Sequence, residues 1–468
     1  MKRKRSQRVV YPDVEIVDIA EEGKGVGKVD NLVLFIPHVV PGDIVDVEVL
    51  RKKKNFGEGR VQAIKQASED RRAPFCTHFG LCGGCKWQHM DYHGQLLYKQ
   101  KAVENALSRI GKVPLNGLET ILPAPSTQYY RNKLEYTFSN KSWLRTEELQ
   151  SDSAIDRRAL GFHVPQRFDK ILPIQHCYLQ ADPSNSIRNQ INAFAKQAGI
   201  SYYDLREHNG ELRNLIIRTS QTGELMVIVV FAYPASGTVD KLMGFLHQQF
   251  PAITSLLYVI NQKRNDTIFD QEIQVYAGRD YIMEKMGNLS FKIGPKSFYQ
   301  TNSEQAYSLY QLAFEFAGLK SDDLVYDLYT GAGTIANFIA PHVKKVIGIE
   351  YVPTAIEDAR VNSEINQIQN TEFFAGDMKT VLTSAFVETY GKPDVIITDP
   401  PRAGMHGEVI KCLLEIEAEK IVYVSCNVAT QARDLALLDT KYRVERIRPV
   451  DMFPQTQHVE NIVLLKLR

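Results

Sequence analysis

LVYDLYTGAGTIA, at residues 324–336, is the stretch that decides the fold of this chain. It begins as a short apolar strand and continues into a glycine loop, where Gly331, Gly333 and Ala336 match the pattern G-x-G-x-x-A. A loop of this kind just before a helix lets the backbone pass close to a ligand at the helix N-terminus. The stretch therefore predicts a strand, a ligand-binding loop and a helix, although the pattern alone is a weak signal.

Four more apolar runs follow the first, and helix-length connections separate them. They are KVIGIE, EFFAGD, DVIITD and KIVYVS. Strands that alternate with helices in this way predict a parallel, doubly wound sheet. The last two runs, YRVERIRPV and VENIVLLKLR, are joined by a loop too short for a crossover helix, so we expect an antiparallel terminal hairpin. This combination is the methyltransferase variant of the Rossmann architecture.

The sequence before this sheet predicts two further domains. From residue 14 to 67, β-branched stretches alternate with turn sequences at the spacing of a five-stranded, OB-like barrel. YHGQLLYKQKAVENALSRIG then predicts a helix that ends near Gly111, and residues 129–285 are typical of an α+β domain. We expect a barrel with a basic N-terminal arm at residues 1–68, a central domain at 69–290 and the α/β domain at 291–468.

The composition of the 468 residues is that of a folded, multidomain protein, with 44% hydrophobic and 24% charged residues. No run approaches the roughly 18 apolar residues of a membrane span, and no apolar signal segment follows the N-terminus, so we expect a cytoplasmic protein without a membrane partner. The net charge is only +1, yet MKRKRSQR and RKKKNFGEGR each carry five cations. Either run alone could be a solvated tail, but two runs flanking one barrel favour an acidic polymer as partner.

Acidic residues near the glycine loop indicate the cofactor. Glu350 ends the second strand of the sheet, nineteen residues after Gly331, where a carboxylate can bind both ribose hydroxyls of an adenosine. NAD and S-adenosylmethionine both fit these features. Asp327 in the first strand, Asp377 at the end of the third and the terminal hairpin favour S-adenosylmethionine. Asp327 and Asp377 could instead cap helices or turns.

The next two strand ends indicate the acceptor. The fourth strand ends in ITDPPRAG, and an aromatic residue after D-P-P would suggest methylation of an exocyclic amine, but Arg402 stands there. The fifth ends in VSCNVATQ, which puts Cys426 where doubly wound sheets hold their ligands. A lone cysteine is more often buried and inert. Its position favours a nucleophile, and methylation of an exocyclic amine would leave this thiol unexplained.

A cysteine thiolate can add to C6 of uracil and make C5 nucleophilic enough to accept a methyl group. The C5 proton must then leave, and a carboxylate can remove it. Glu460 in HVEN stands at the start of the last strand and could serve as this base. The alternative for Glu460 is an ordinary charge on an edge strand.

Residues 76–89 read CTHFGLCGGCKWQH and hold three of the six cysteines of the chain in the spacing C-x5-C-x2-C. In a reducing compartment, such a cluster is more often a metal-binding or catalytic site than a disulfide framework. The cluster therefore predicts a metal site. Zinc and iron-sulfur centres share sulfur ligation, so the spacing leaves both open.

Six motifs together resemble the S-adenosylmethionine-dependent RNA uracil-C5-methyltransferase family, in its iron-sulfur, 23S ribosomal RNA branch with an N-terminal TRAM domain. The motifs are CGGCKWQH, KSFYQTN, DLYTGAGT, DPPRAG, SCN and HVENIVLL. The resemblance implies that Cys76, Cys82, Cys85 and Cys177 hold a [4Fe-4S] cluster, that Cys426 is the nucleophile and that Glu460 is the base. It also implies that S-adenosylmethionine or the target uridine contacts Gln300, Tyr329, Thr334, Glu350, Asp377 and Asp399. The chain departs from the family at Val428, where proline usually follows S-C-N.

The sequence thus predicts an enzyme that flips a uridine out of structured RNA, expected to be 23S ribosomal RNA, and methylates its C5. We expect it to act as a monomer. One alternative is a tRNA uracil-C5-methyltransferase. Another is a metal-stabilised RNA-binding or assembly factor with a vestigial methyltransferase domain. The cofactor acid, the nucleophile and the base are all present, which favours the enzyme.

Overall fold

The structure is a computed structural model, and it describes residues 9–144, 148 and 155–468. The basic run at residues 1–8 lies outside the described residues. None of the helices in these ranges is long and apolar enough to cross a membrane.

The N-terminal part of the chain forms a closed five-stranded barrel, as predicted, with the strand order β1-β2-β3-β5-β4. Its strands are β1 Val10–Ile19, β2 Gly25–Val29, β3 Leu32–Ile36, β4 Ile44–Lys52 and β5 Phe56–Gln66. Successive side chains of a strand point to opposite sides, so Val14, Ile16, Leu34 and Val47 share one buried core. The basic stretch at residues 51–60 crosses the turn from β4 to β5 and is mostly exposed.

The cysteine-rich loop follows the barrel and leads into helix α1, Tyr92–Ala106. Asp91 caps this helix, because its side chain accepts a hydrogen bond from the backbone N–H of Gly94 at 2.7 Å. A π-helical turn over Leu107–Gly111 continues α1, so the helical segment ends at the predicted Gly111.

The central part of the chain is built on a seven-stranded sheet with the order β12-β11-β10-β9-β6-β7-β8. Its strands are β6 Lys133–Ser139, β7 Ala159–Val164, β8 Arg167–Pro173, β9 Leu212–Thr219, β10 Leu225–Phe231, β11 Ser255–Ile260 and β12 Ile273–Gly278. All neighbours pair antiparallel except β10 and β11. Helices α2 Ser184–Gln197 and α3 Thr238–Gln249 pack on one face, and the other face packs against the C-terminal part of the chain.

A hairpin of β13 Ile282–Met286 and β14 Leu289–Ile293 leads to the C-terminal sheet. The predicted boundary between residues 290 and 291 falls inside β14. This strand packs beside the last sheet, since the backbone N–H of Ser290 donates to Asn366 Oδ1 at 2.8 Å. The division of the chain at residues 68 and 290 stays a prediction.

The C-terminal sheet has the order β17-β16-β15-β18-β19-β21-β20. Its strands are β15 Leu324–Leu328, β16 Lys345–Glu350, β17 Thr371–Ala375, β18 Val395–Thr398, β19 Lys420–Ser425, β20 Tyr442–Val450 and β21 Glu460–Leu467. Its helices are α4 Ser303–Ala317, α5 Thr334–Ile339, α6 Pro353–Ile365, α7 Met378–Val381, α8 Ser384–Tyr390, α9 Gly407–Ile416 and α10 Val428–Leu438. The five runs predicted as parallel strands are β15 to β19, and they are parallel. Their carboxyl ends therefore meet at one edge, where ligands bind in such sheets.

Candidate active site

The glycine loop after β15 is shaped by left-handed backbone conformations. Gly331 and Gly333 have φ angles of 56° and 73°, which glycine adopts without steric cost. A Cβ atom on Gly333 would lie 2.9 Å from the Cβ of Ala359, so α6 leaves no room for a larger residue. Tyr329 also has a positive φ, of 63°, although it is not glycine. Such strain in a bulky residue costs energy and concentrates at functional sites.

Two of the predicted cofactor acids hold this loop. Asp327 is fully buried, and one of its oxygens accepts hydrogen bonds from the Thr330 hydroxyl and from the N–H of Ala336. Burial raises the pKa of Asp327 to about 7. Glu350 accepts a hydrogen bond from the N–H of Gly331 at 3.2 Å and thus connects the end of β16 to the loop. The other Asp327 oxygen, Oδ1, is buried without a partner among the described residues.

Asp377 follows β17 and caps α7, since its side chain accepts a hydrogen bond from the N–H of Lys379 at 3.1 Å. That hydrogen bond, together with the charge of Lys379, lowers the pKa of Asp377. Capping was the alternative that the sequence left open for this residue, and the structure shows it. The charge of Asp377 also acts on the phenol of Tyr329, so the carboxylate still belongs to the surroundings of the loop.

The acceptor side of the edge is organised around Asp399, which comes directly after β18. Desolvation by the surrounding protein raises the pKa of Asp399 to about 7. Its charge in turn raises the pKa values of Asp327, Cys426 and Glu460. The predicted cofactor acid, nucleophile and base therefore share one electrostatic site.

Cys426 and Glu460 come together through the pairing of β19 with β21. The last pair in that antiparallel register is Ser425 with Asn461, so the next positions outward, Cys426 and Glu460, face each other. Burial raises the pKa of the Cys426 thiol to about 11 and that of the Glu460 carboxyl to about 8. Glu460 is 5% exposed and starts β21, which lies between β19 and β20, so its interpretation as an edge-strand charge is wrong.

Arg402 is a site residue to which the sequence assigned no role. Its backbone carbonyl accepts hydrogen bonds from Asn427 Nδ2 at 3.0 Å and from the Thr430 hydroxyl at 3.2 Å, which fixes the D-P-P-R loop beside the nucleophile. The positive charge of its guanidinium lowers the pKa of the Cys426 thiol and of Glu460. The sequence did contain a signal for Arg402. It is a cation directly after D-P-P, where an aromatic residue would have indicated methylation of an exocyclic amine.

Tyr310 on α4 is a second residue that the sequence did not indicate. It is 3% exposed and its hydroxyl lies 3.3 Å from the Thr334 hydroxyl. Burial raises the pKa of Tyr310, and the charge of Asp399 raises it as well. Tyr310 also interacts with the side chain of Gln300. Tyr310 thus connects three predicted site residues. In the sequence it is one apolar position of an amphipathic helix, and nothing distinguishes it from an ordinary core tyrosine.

The loop that leads into Glu460 is held by the cysteine-rich loop and α1. The backbone N–H groups of Lys86 and Trp87 donate to the carbonyl of Gln455 at 2.8 and 3.0 Å. Lys99 on α1 is completely buried and forms an ion pair with Asp451 at 2.5 Å. Removing either partner of such a pair would leave an uncompensated buried charge, so this contact fixes the loop firmly.

The four cysteines of the predicted cluster line one apolar cavity. The cavity is lined by Cys76, Cys82, Cys85 and Cys177 among apolar and aromatic side chains. Burial, with a smaller contribution from the neighbouring thiols, raises the pKa of Cys82 to about 12 and that of Cys85 to about 11. The donor set fits a four-thiolate centre, although no group of three or more metal-ligating side chains in the described ranges is arranged to hold a metal ion.

Comparisons with known proteins find relatives along the whole chain. Residues 263–468 match the family model described as tRNA (Uracil-5-)-methyltransferase, and residues 5–62 match the TRAM domain. An uncharacterized RNA methyltransferase of Bacteroides thetaiotaomicron is 56% identical over 454 residues, which is 96% of this chain and 100% of that protein. A second one, from Porphyromonas gingivalis, is 56% identical over 460 residues, which is 97% of this chain and 99% of its own length.

One solved structure is similar over nearly the full length. It is the crystal structure of the Pyrococcus abyssi tRNA (uracil-54, C5)-methyltransferase in complex with S-adenosyl-L-homocysteine. The similarity has a TM-score of 0.75 at 28% sequence identity, and it covers 98% of this chain and 100% of that one.

Proposed function

The chain belongs to the S-adenosylmethionine-dependent RNA uracil-5-methyltransferase family, and on that premise we propose that it methylates C5 of a uridine in 23S ribosomal RNA through a covalent adduct of Cys426. The observation that carries the proposal is the register of β19 and β21, by which Cys426 and Glu460 face each other at the ligand-binding edge. The TRAM domain and the family together indicate an RNA substrate.

Ribosomal RNA is proposed because the cysteine-rich loop resembles that of the ribosomal branch of the family. Transfer RNA is the second candidate, since the similar structure from Pyrococcus abyssi is named for uracil 54 of tRNA. The chemistry at the uridine is the same in both cases.

In the proposed reaction, Sγ of Cys426 bonds to C6 of the uridine, which moves an electron pair toward C5. C5 then bonds to the methyl group that S-adenosylmethionine would supply when bound, as the bond between that methyl carbon and the sulfonium sulfur breaks and S-adenosylhomocysteine is left. Glu460 accepts the proton from C5, the bond between C6 and Sγ breaks, and the double bond between C5 and C6 returns. The thiolate leaves unchanged, so the residue is ready for another cycle.

The electrostatics of the site support a divided role for Arg402 and Glu460. With a pKa near 8, the Glu460 carboxyl is mostly protonated at pH 7, and a group with such a pKa accepts and returns protons readily near neutrality. The Cys426 thiol, with a pKa near 11, needs help to ionise. The charge of Arg402 favours the thiolate, and we assign Arg402 the role of activating the nucleophile.

We propose that the cofactor and the target uridine are held by residues on both sides of the glycine loop. These residues are Gln300, Tyr329, Thr334, Glu350, Asp377 and Asp399. The hydrogen bond from Gly331 to Glu350 supports this assignment, because it holds the carboxylate beside the loop. The strained Tyr329 is consistent with a position where backbone shape matters for binding.

We also propose that Cys76, Cys82, Cys85 and Cys177 hold a [4Fe-4S] cluster, with a four-thiolate zinc site as the alternative. The shared cavity supports the ligand set, because Cys177 is distant in sequence and still lines it. Such a centre would tie the cysteine-rich loop to the central sheet. A monomer in the cytoplasm, divided into domains at residues 68 and 290, completes the proposal.

Mapping 5-methyluridine in total RNA from cells with and without the gene tests the function. We expect a 5-methyluridine of 23S ribosomal RNA to be lost, to return with the parental chain, and to stay absent with Cys426→Ala. A loss confined to transfer RNA would favour the second candidate. An unchanged map of both RNAs would contradict the proposal.

A further inference from the structure

Two cavities outside the catalytic edge share part of their lining. The first is an open trough of about 550 Å³ that runs from Gly83 and Lys86 in the cysteine-rich loop to Phe168 on β8. The second is a pocket of about 160 Å³ above the central sheet, lined by Arg213, Asn214 and Arg264 among others. His163 and Phe168 line both cavities, so we treat the two as one surface, the Phe168 groove.

We propose that the Phe168 groove binds a single-stranded segment of the substrate RNA beside the methylated uridine, with the Phe168 ring as a stacking platform for a base. The inference rests on the proposed function for the nature of the substrate. It assigns a second RNA contact in the central domain, apart from the barrel and the catalytic edge.

Phe168 has the features of a stacking platform. Its side chain is 63% exposed, although it is a large aromatic residue in a regular strand. The Arg206 guanidinium lies 5.1 Å from the ring centroid and is itself bound to the buried carboxylate of Asp169. A fixed cation thus supports the ring, while the exposed part of the ring faces the groove. Bases stack on such rings with little regard to sequence.

The charges along the groove suit a phosphate backbone. Lys86, Arg167 and Arg264 line it, and no ion pair within the described residues engages any of them. The acid that faces them is Asp266, in the inner pocket. A buried Arg213 donates hydrogen bonds to the carbonyls of residues 261, 263 and 265, which fixes the loop that carries Arg264 and Asp266.

The groove begins next to the catalytic edge. Lys86 donates its backbone N–H to Gln455, on the loop that leads into Glu460. A strand whose uridine is flipped into the site could therefore continue past Lys86 toward Phe168. Stacking there would offset part of the free energy lost when the target base leaves its own stack.

Binding of a fluorescein-labelled 16-nucleotide oligouridylate, followed by anisotropy at fixed salt, tests the groove. Phe168→Ala should weaken binding by about fivefold to a hundredfold, the range for loss of one stacked base. Phe168→Tyr should bind like the parent. The matched control is Phe269→Ala, because Phe269 is 70% exposed but lines neither cavity, and it should also bind like the parent. Each variant should bind S-adenosylmethionine normally, which verifies the fold.

Equal affinities of Phe168→Ala and the parent would overturn the proposal. So would an equal loss in Phe168→Ala and Phe269→Ala, or a failure of Phe168→Tyr to restore binding. Uridine methylation by the parental chain is measured separately. If the parent methylates uridine but Phe168→Ala binds RNA normally, the proposed role of the Phe168 groove is overturned and the proposed function is not. If the parent methylates no RNA but Phe168→Ala still weakens RNA binding, the proposed function is overturned and the RNA-binding role of the Phe168 groove is supported.

Discussion

Five of the six cysteines lie in two contrasting settings. Cys426 is half-buried at the rim of the C-terminal sheet, where the charges of Arg402 and Glu460 both act on its thiol. The cavity cysteines lie among apolar and aromatic side chains and one another, and burial raises the pKa of Cys82 to about 12. Burial disfavours the thiolate in both places, and arginine charges oppose this effect in both, from Arg402 at the rim and from Arg131 and Arg188 at the cavity. The rim differs in the carboxyl of Glu460, whose charge acts on the Cys426 thiol.

The difference shows how one residue type can be prepared for two kinds of chemistry. A nucleophile must ionise before each reaction and stay accessible, so it needs a hydrogen-bonding cation and a nearby proton acceptor. A metal ligand loses its proton as the metal binds, so a closed cavity without a base can suffice. The comparison predicts that the two settings can be disabled independently.

The largest expected effect is that of removing the rim thiol. Cys426→Ala should lower methyl transfer by at least about 10⁴-fold, because no other group can add to C6. It should still bind S-adenosylmethionine, since the glycine loop is untouched, and its metal content should equal that of the parental protein. Single-turnover transfer of labelled methyl to RNA measures the loss, and calorimetry measures cofactor binding.

Cys412→Ala is the matched control for this thiol. Cys412 lies on α9, where its Sγ donates to the carbonyl of Leu382 at 2.9 Å, away from the rim. It should retain parental activity. A Cys426→Ala enzyme that still methylates uridine would require a non-covalent route.

The next effect is that of the carboxyl opposite the thiol. Glu460→Gln should slow turnover by about 10² to 10⁴-fold, the usual contribution of a general base. Because the amide can take no proton from C5, the enzyme should stall after methyl transfer with RNA attached through Cys426. Denaturing electrophoresis should then show a protein-RNA species that carries labelled methyl. Turnover at the parental rate without a trapped species would mean that another group removes the proton.

Replacing a cavity cysteine should change catalysis less than replacing Cys426 or Glu460, but it should change the metal content specifically. Anaerobically purified parental protein should be brown with about four irons per chain. Cys177→Ala should lose most of the iron and unfold at a lower temperature, since one lost thiolate opens a closed site. Cys426→Ala serves as the control that keeps both properties. Colourless parental protein with stoichiometric zinc would replace the cluster with the alternative, and loss of iron in Cys426→Ala would break the comparison itself.

The strands and helix ends that depend on local sequence pattern could be predicted from the sequence. Alternating or β-branched stretches between turn sequences predicted the barrel strands, and short apolar runs separated by helix-length connections predicted the five parallel strands. The glycine at position 111 predicted the end of the helical segment that begins with α1. Asp377 shows the limit of such reasoning, because a cap and a cofactor acid need the same residue type after the same strand. Glu460 lies inside the sheet because β21 pairs with strands on both of its sides. The residue pattern of one strand does not show which strands will be its neighbours.

Other features required contacts between distant segments. Cys177 was connected with the cysteine-rich loop by family resemblance alone, and the fold of the central sheet brings it to the cavity. Arg402 acts through a hydrogen bond between two loops, and Tyr310 through contacts with three elements. Such roles arise from geometry across the sheet edge, which no local periodicity encodes.

The smallest expected effect concerns Arg402 and the pH dependence of the rim. Glu460 acts as a base only when deprotonated, and Cys426 acts as a nucleophile only as the thiolate. With pKa values near 8 and near 11, kcat/KM should rise steeply with pH below about 8 and less steeply from there to about 11. Arg402 lowers the pKa values of both Glu460 and Cys426, hence Arg402→Gln should move this rise to higher pH by about one unit. At pH 7 the activity should fall by about tenfold if one of the two groups shifts by this unit and by about a hundredfold if both do, and raising the pH should restore much of it. Arg402→Lys keeps the positive charge and should stay close to the parental profile. A pH profile that Arg402→Gln leaves in place, merely scaled down, would show that Arg402 holds the loop but does not tune the thiol and the carboxyl.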